Sequence, residues 1–216
     1  MNTLLVSKDD EIVQYVVEKS KLAALGSILG DGYLTPINGR GSRLWVKYDD
    51  KSFSYLQWMQ GMLKPFGVGE IKKKKGYHQH YFLTDGSAYL AELHLLFYEQ
   101  GGNKRIPQEI FDLLYHPLSL AVWYMDDGNL DWRNKYHNSP TIATYCFTLG
   151  DCIRLAEVLS KNFGVSAKVH KSTMRGKVYY RLYIEARSRE KFFELISPYI
   201  HPSFLYKLSV TRQQPR

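Results

Sequence analysis

The sequence predicts an α+β protein built from two copies of one unit, and three observations predict it. First, LKPFGVGEIKKKK (63–75) resembles LSKNFGVSAKVHKS (159–172), with Phe66-Gly67-Val68 and Phe163-Gly164-Val165 lying 97 residues apart. Second, ILGDG (28–32) resembles YMDDG (124–128), which sets Asp31 and Asp127 96 residues apart. Third, Lys104 and Lys207 each follow a helical segment and are 103 apart. Three landmarks in one order at a nearly constant offset mark a duplicated unit of about 100 residues, the size of a small domain. The halves are taken as 1–116 and 117–216.

Each element follows from local pattern. Residues 22–31 (LAALGSILGD) and 117–127 (PLSLAVWYMDD) are continuous apolar helices, with Pro117 suited to a first turn. A strand follows at 43–48, where Leu44, Val46 and Tyr48 alternate with Arg43, Trp45 and Lys47. Its counterpart falls near 141–147. Helices at 51–64 and 150–162 stop at Phe-Gly. Hairpins follow at 69–75 with 77–84 and at 165–172 with 177–185. In the last strand Val178, Tyr180, Leu182 and Ile184 share one face, and Lys177, Tyr179, Arg181, Tyr183 and Glu185 the other. Helices at 87–98 and 188–199 close each copy, giving α-β-α-β-β-α twice. The linker is either 129–140 or the segment just before 117. Residues 2–20 read as a capped helix preceding the first apolar helix, with Ser7 as N-cap. The terminal TRQQPR reads as a mobile basic tail.

Composition narrows the class. The 216 residues carry 29 Lys+Arg against 21 Asp+Glu, a net charge of +8, which suits a polyanionic partner. A hydrophobic share of 44% excludes a disordered chain, and no apolar run reaches the ~18–20 residues of a membrane span. The N-terminus shows no secretory pattern. Cys146 and Cys152, six apart without CxxC or CxxH, suggest neither a disulfide framework nor a zinc site.

The chemistry concentrates where each apolar helix ends in Asp-Gly. A carboxylate is disfavoured at a helix C-terminus, where the dipole is negative and carbonyls lack partners. A divalent cation resolves that conflict, since carboxylate and main-chain oxygens are hard ligands for Mg²⁺. If the two helices pack side by side, Asp31 and Asp127 meet on the pseudo-twofold axis, and Gly26, Gly30 and Ala23 allow close approach. A single such motif reads more readily as a glycine cap after a surface Asp; its duplication reverses that preference in favour of the paired site.

These two segments, LAALGSILGDG (22–32) and LSLAVWYMDDG (118–128), resemble the paired signature helices of a single-chain LAGLIDADG homing endonuclease of the I-SceI-like branch. The resemblance extends to both hairpins, the NKRIP segment (103–107) and LYKL (205–208). It implies two αββαββα halves around the packed motif helices, with a saddle of antiparallel strands in the DNA major groove. Against that fold the pattern above lacks one element per half, expected as helices at 107–115, opened by Pro107, and at the basic C-terminal end. By position, Asp31 and Asp127 match the acidic residues that bind Mg²⁺ (with Mn²⁺ as a substitute) between the scissile phosphates. Lys104 and Lys207 match the basic residues that tune water or offset developing charge. The bland reading of either lysine is a solvated side chain at a domain edge. Val122 and Asp126 stand where the first motif has Gly26 and Gly30, so helix packing is not strictly symmetric, and Asp126 is a second carboxylate outside the ligand set.

The strands give the charge an address. Lys72, Lys74, His78 and His80 in the first copy, and Lys168, His170, Lys177 and Arg181 in the second, are expected on outward faces, extended by Arg43, Trp45 and Lys47. Tyr179 and Tyr183 interleave with them. Some of Lys72 to Lys75 are expected to meet phosphate alone. The two surfaces differ, so the resemblance implies an asymmetric duplex target cut on both strands, as in intron homing, by a monomeric pseudo-dimer. It implies no small-molecule cofactor and no membrane, and a place with the host genome in an organelle or microbial cytoplasm. An RNA-binding intron maturase of the same fold, with weak or lost cleavage, is the alternative; a non-catalytic DNA-binding relative is a third. Tyr124-Met125-Asp126-Asp127 also spells the YMDD of reverse transcriptases, but its flanks are helical and the chain is short for a polymerase. His78-Gln79-His80 as a metal pair lacks a third ligand. His116 and His201 precede prolines and need no special role.

Overall fold

A computed structural model describes residues 8–134, 137–174 and 176–208. The first half runs α1 (Lys8–Leu29), β1 (Tyr33–Leu34), β2 (Leu44–Asp49), α2 (Phe53–Met62), β3 (Lys72–Lys73), β4 (Gln79–Leu83) and α3 (Ala88–Phe97), followed by a single helical turn, α4 (Ile110–Leu113). The second half runs α5 (Pro117–Asp127), β5 (Gly128–Asn134), β6 (His137–Ala143), α6 (Leu149–Phe163), β7 (Ala167–Met174), β8 (Lys177–Ile184) and α7 (Arg189–Ile196). Two 3₁₀ segments, Ser197–Tyr199 and Pro202–Lys207, follow. Each half has one four-stranded sheet, ordered β1-β2-β4-β3 and β5-β6-β8-β7, with every pairing antiparallel. The sheets are the same in order, which is the duplication written in topology. Among the described residues no helix is long and apolar enough to cross a membrane.

The element missing from the sequence pattern is a strand rather than a helix. β1 and β5 follow directly on the motif helices. β1 has only two residues, too few to show alternation, and β5 is polar (GNLDWRN). Residues 129–134 and 137–140 therefore lie in the paired strands β5 and β6 of the second sheet rather than in a linker. Segment 107–115 contains only the α4 turn, and the C-terminal end is 3₁₀ rather than α-helical. The helix expected upstream of the first motif is continuous with it: α1 is one helix of 22 residues. Ser7 and TRQQPR lie outside the described residues.

The core forms where apolar periodicity demanded. Leu44, Val46 and Tyr48 are buried on the inner face of β2, as are Leu182 and Ile184 on β8. The Phe-Gly stops hold in both copies, with Gly67 and Gly164 at positive φ (68° and 61°), where a side chain would be strained. α6 starts with a capping box: Thr148 Oγ1 accepts from Asp151 N–H, and Asp151 Oδ2 accepts from Thr148 N–H.

Asp151 also ties the halves together. Its Oδ1 accepts from the main-chain N–H of Ile106 (3.0 Å), and Arg154 Nη1 donates to Ile106 O (2.6 Å). The segment carrying Lys104 is thus pinned from both sides onto the second half. Asp151→Ala removes the cap and leaves the buried Ile106 N–H without its acceptor, so it is expected to cost about 2–3 kcal/mol. The shift of the urea midpoint at constant m-value measures it.

Candidate active site and nucleic-acid interface

Helices α1 and α5 pack against one another through glycine. A Cβ placed on Gly26 would fall 2.5 Å from Ser119 O and 2.7 Å from Val122 Cβ; one on Gly30 would fall 2.6 Å from Asp126 Cβ. Backbone therefore lies against side chain at both positions, and the close approach expected from Gly26 and Gly30 is present. It is also asymmetric, because α1 supplies the hydrogens and α5 the bulk. Ser119 Oγ adds a buried hydrogen bond to Leu22 O at 2.8 Å.

Both helices end at an aspartate. Asp127 is the last residue of α5, and Asp31 follows α1 by two residues. Burial pushes the Asp31 carboxyl above its ordinary range, while Lys104, Lys207 and Lys47 pull it down. Burial, with Asp31's charge added, pushes Asp127 up to about 7 against the same Lys104 and Lys207. Two carboxylates that feel one another and two lysines common to both make this one site. Asp126 lies beside them, well above its ordinary value through burial first and Asp31 second. Its oxygens are occupied: Oδ1 accepts from Tyr48 Oη (2.7 Å) and Tyr55 Oη (3.1 Å), and Oδ2 from Asp31 N–H (3.3 Å).

The lysines cap the helices. Lys104 Nζ donates to the carbonyls of Ile28, Gly30 and Gly32 at 2.7–2.9 Å, and Lys207 Nζ to Met125 O (2.6 Å) and Tyr124 O (3.4 Å). Those carbonyls lie at or just past the C-terminal ends of the two helices, at the negative end of each dipole, where an ammonium is favoured. Burial pulls both amines below their ordinary value, and the neighbouring aspartates pull them back up. All three donors of Lys104 are thus on carbonyls, so it acts on Asp31 through its charge and through the turn it holds. Matched spacing located both lysines; no sequence signal shows which oxygens they reach. Cys146, without a motif of its own, lies close enough to Lys104 and Asp127 for their charges to act on its thiol.

Register decides which strand residues share a face. In the first sheet Tyr33 pairs with Trp45 and Trp45 with Leu83, while Lys47 and Lys72 both pair with Tyr81. Trp45, Lys47 and Lys72 therefore share the outer face, and Lys74, whose N–H donates to Gln79 O, continues it. Arg43 lies just before β2 on the same side, its Nε on Thr84 O (2.7 Å). His78 and His80 do not share that face. His80 pairs with Tyr48 and Lys73, on the opposite parity, and both Nδ1 atoms approach the Asp50 carboxylate (3.2 and 3.1 Å). The His80 ring also packs on Phe53 at 4.9 Å. Alternation within β4 was readable, but its parity relative to β3 depends on the turn at 74–78, which composition does not fix. The outer positions that sequence reasoning missed are Tyr33, Gln79 and Tyr81.

The second sheet matches expectation. Lys168 and Thr141 pair with Tyr183, His170 and Ala143 with Arg181, Ser172 with Tyr179, and Met174 with Lys177. Lys168, His170, Lys177, Tyr179, Arg181 and Tyr183 thus share one face, opposite buried Leu182 and Ile184. The His170 ring stacks on Tyr183 (4.9 Å, 3°), and Lys168 pairs with Glu185 at 2.9 Å.

Two like sheets with basic and aromatic outer faces, flanking two carboxylates on packed helices, now meet an independent comparison: the LAGLIDADG DNA endonuclease family matches residues 22–192. The chain belongs to that family. It is 32% identical to a protein RecA of Mycobacterium shimoidei over 197 residues, covering 85% of this chain and 45% of that one. The chain spans about half the length of the RecA proteins it matches. It is 29% identical to the DNA endonuclease I-ChuI of Chlamydomonas applanata, covering 90% of this chain and 96% of that protein. It is 26% identical to the cytochrome b mRNA maturase bI2 of Saccharomyces cerevisiae, covering 85% of this chain. In fold it resembles the homing endonuclease I-WcaI bound to its DNA recognition sequence, with TM-score 0.69 and 21% identity over 95% of this chain and 96% of that one. The I-DmoI complex with DNA and Mn is similar at TM-score 0.52 and 20% identity, over 83% of this chain and 97% of that one. The two αββαββα halves that the resemblance implies, rather than the α-β-α-β-β-α order read from the repeat, are thus the fold of this chain.

Proposed function

We propose that this LAGLIDADG chain is a site-specific homing endonuclease. It makes a double-strand break in a long, asymmetric DNA target by Mg²⁺-dependent phosphodiester hydrolysis, as a single-chain pseudo-dimer. The observation that carries the reading is the meeting of Asp31 and Asp127 at the ends of two glycine-packed helices, between two sheets with basic outer faces.

The donor set fits a divalent cation: two carboxylates whose ionisation burial and mutual repulsion oppose are relieved by a positive ion, and their oxygens are hard. Asp31 and Asp127 would hold it. Among the described residues no cluster of three or more His, Cys, Asp or Glu is placed to hold a metal ion. When bound, Mg²⁺ lowers the pKa of a coordinated water and stabilises charge on the phosphate. The chain's own contribution is placement. Lys104 and Lys207 fix the two C-terminal turns and hold positive charge beside the carboxylates. Lys47 adds to the field at Asp31. The strand faces seat the duplex, with long basic side chains on phosphates and the aromatic residues packed among them. Because the faces differ in sequence, the two half-targets differ.

Incubation with a randomised duplex library and Mg²⁺ tests the reading: double-strand cuts at one long site are expected. The similarity to a maturase supports a second reading, and tight Mg²⁺-independent binding of folded intron RNA without DNA cleavage would favour it over the first. Lys72 is exposed on the outer face of the first sheet and is expected to touch phosphate only. Lys72→Ala should weaken binding to all duplexes alike and reduce the slope of log K against log [salt] by about 0.9, read by fluorescence anisotropy across a salt series.

A further inference from the structure

The repeat places Gly30 and Asp126 at equivalent positions, one residue before Asp31 and Asp127, yet only one of them has a side chain. That side chain crosses the pseudo-twofold axis. It leaves α5, passes over Gly30, where a Cβ would collide with it, and presents Oδ2 to the main-chain N–H of Asp31 at 3.3 Å. Its other oxygen is anchored in the opposite half, on Tyr48 Oη (2.7 Å) at the inner face of β2 and Tyr55 Oη (3.1 Å) on α2. Both tyrosines are buried, their rings 4.8 Å apart, and Tyr55 is held in turn by Trp58 (5.6 Å, stacked) and Phe204 (4.8 Å). Lys104 meanwhile binds the carbonyls of Gly30 and Gly32. The backbone that carries Asp31 is therefore gripped at its N–H by Asp126 and at the flanking carbonyls by Lys104.

We infer that Asp126 is a positioning residue: a cross-axis strut, rooted on Tyr48 and Tyr55, that fixes the backbone of Asp31 and so the direction of its carboxylate. The inference rests on the cleavage reading above. With Oδ1 accepting from two tyrosines and Oδ2 from the Asp31 N–H, the Asp126 carboxyl is engaged by donors of the protein itself. Its role requires shape and an acceptor rather than charge. The first motif has Gly30 at this place because the strut fills the space a second side chain would need. Asp127 has no matching strut, since Gly30 supplies none.

The test compares Asp126→Ala with Asp126→Asn. The alanine removes the strut. The asparagine keeps its shape, with the amide oxygen on the Asp31 N–H and the NH₂ on the tyrosine oxygens. For Asp126→Ala, the single-turnover cleavage rate at saturating DNA should fall about 30–100-fold while DNA affinity stays within about twofold, a loss of placement rather than of binding. Hydrogen exchange at the Asp31 amide should quicken at least about tenfold, from loss of its acceptor. Asp126→Asn should retain the protection and cleave within about fivefold of the natural protein. Should the alanine variant fail to fold, the Tyr48→Phe, Tyr55→Phe pair unroots the strut without touching the helix interface, and the same changes are expected of it. The inference is overturned if Asp31 protection and rate survive loss of the strut, or if the asparagine is as inactive as the alanine, which would make the charge itself the active feature. If the natural protein cuts no DNA, the proposed activity falls, and the Asp31 amide still decides the strut.

Discussion

Asp127→Asn is expected to lower Mg²⁺-supported cleavage by about 10³-fold or more, with duplex binding kept or slightly tightened. The amide keeps the shape of the side chain but removes one of the two negative charges that would hold the cation, and a lost electrostatic contact at the reacting centre is worth several kcal/mol of barrier. Binding persists because the outer strand faces are untouched, and one negative charge fewer faces the phosphates. Asp31→Asn should behave alike. Single-turnover cleavage and anisotropy on the same preparation separate the two effects; cleavage that survives both substitutions would show that the chemistry lies elsewhere.

The same substitution carries an opposite stability signature. Asp127 is held up to about 7 by burial and by Asp31, above the value of about 4 for an unfolded chain. A carboxyl raised on folding favours the fold while protonated, and that contribution is lost as pH rises from about 4 through 7. In chelator at pH 8, Asp127→Asn should therefore melt higher than the natural protein, and the two should converge near pH 4. A site that opposes its own folding until a cation arrives is what a functional carboxylate cluster looks like thermodynamically.

What the sequence made legible was whatever repeats. Two motif helices, their terminal aspartates and two distant lysines emerged because a duplicated chain shows each signal twice in register. The fold beyond that was legible where periodicity was long, as in β8, whose alternation correctly sorted Arg181 and Tyr183 from Leu182 and Ile184. It failed where an element is short or where a face depends on a partner. β1, with two residues, has no period, and His80 has the spacing of an outer residue but the register of an inner one. The capping role of Lys104 was hidden for another reason: a main-chain carbonyl has no letter in the sequence, so a side chain that serves three of them looks unemployed.

Gly26→Val should have the largest effect on the fold. A Cβ at this position meets Ser119 O at 2.5 Å and Val122 Cβ at 2.7 Å, and a carbonyl oxygen inside a helix cannot rotate away as a side chain can. Helices α1 and α5 must separate, opening an interface that buries Leu22, Leu25, Leu118 and Val122. Overpacking of a tight core costs about 1–3 kcal/mol, and the backbone contact places this case at about 3 kcal/mol or above. A control separates crowding from loss of a glycine: at Gly61, in α2, a Cβ would meet nothing within 4 Å, so Gly61→Ala should stabilise by about 0.5–1 kcal/mol. Adding Val122→Gly to Gly26→Val removes one of the two collisions but leaves Ser119 O, so it should recover only part of the loss. Function gives the sharper reading. Asp127 ends α5 and Asp31 follows α1 by two residues, so the distance between them depends on how closely the glycine contact lets the two helices approach. At a temperature where Gly26→Val remains folded, cleavage should still fall by about 10²-fold, because an error of about 1 Å in placement is enough. Urea denaturation and single-turnover cleavage at low temperature, run on the same variants, distinguish this coupling from simple loss of folded protein.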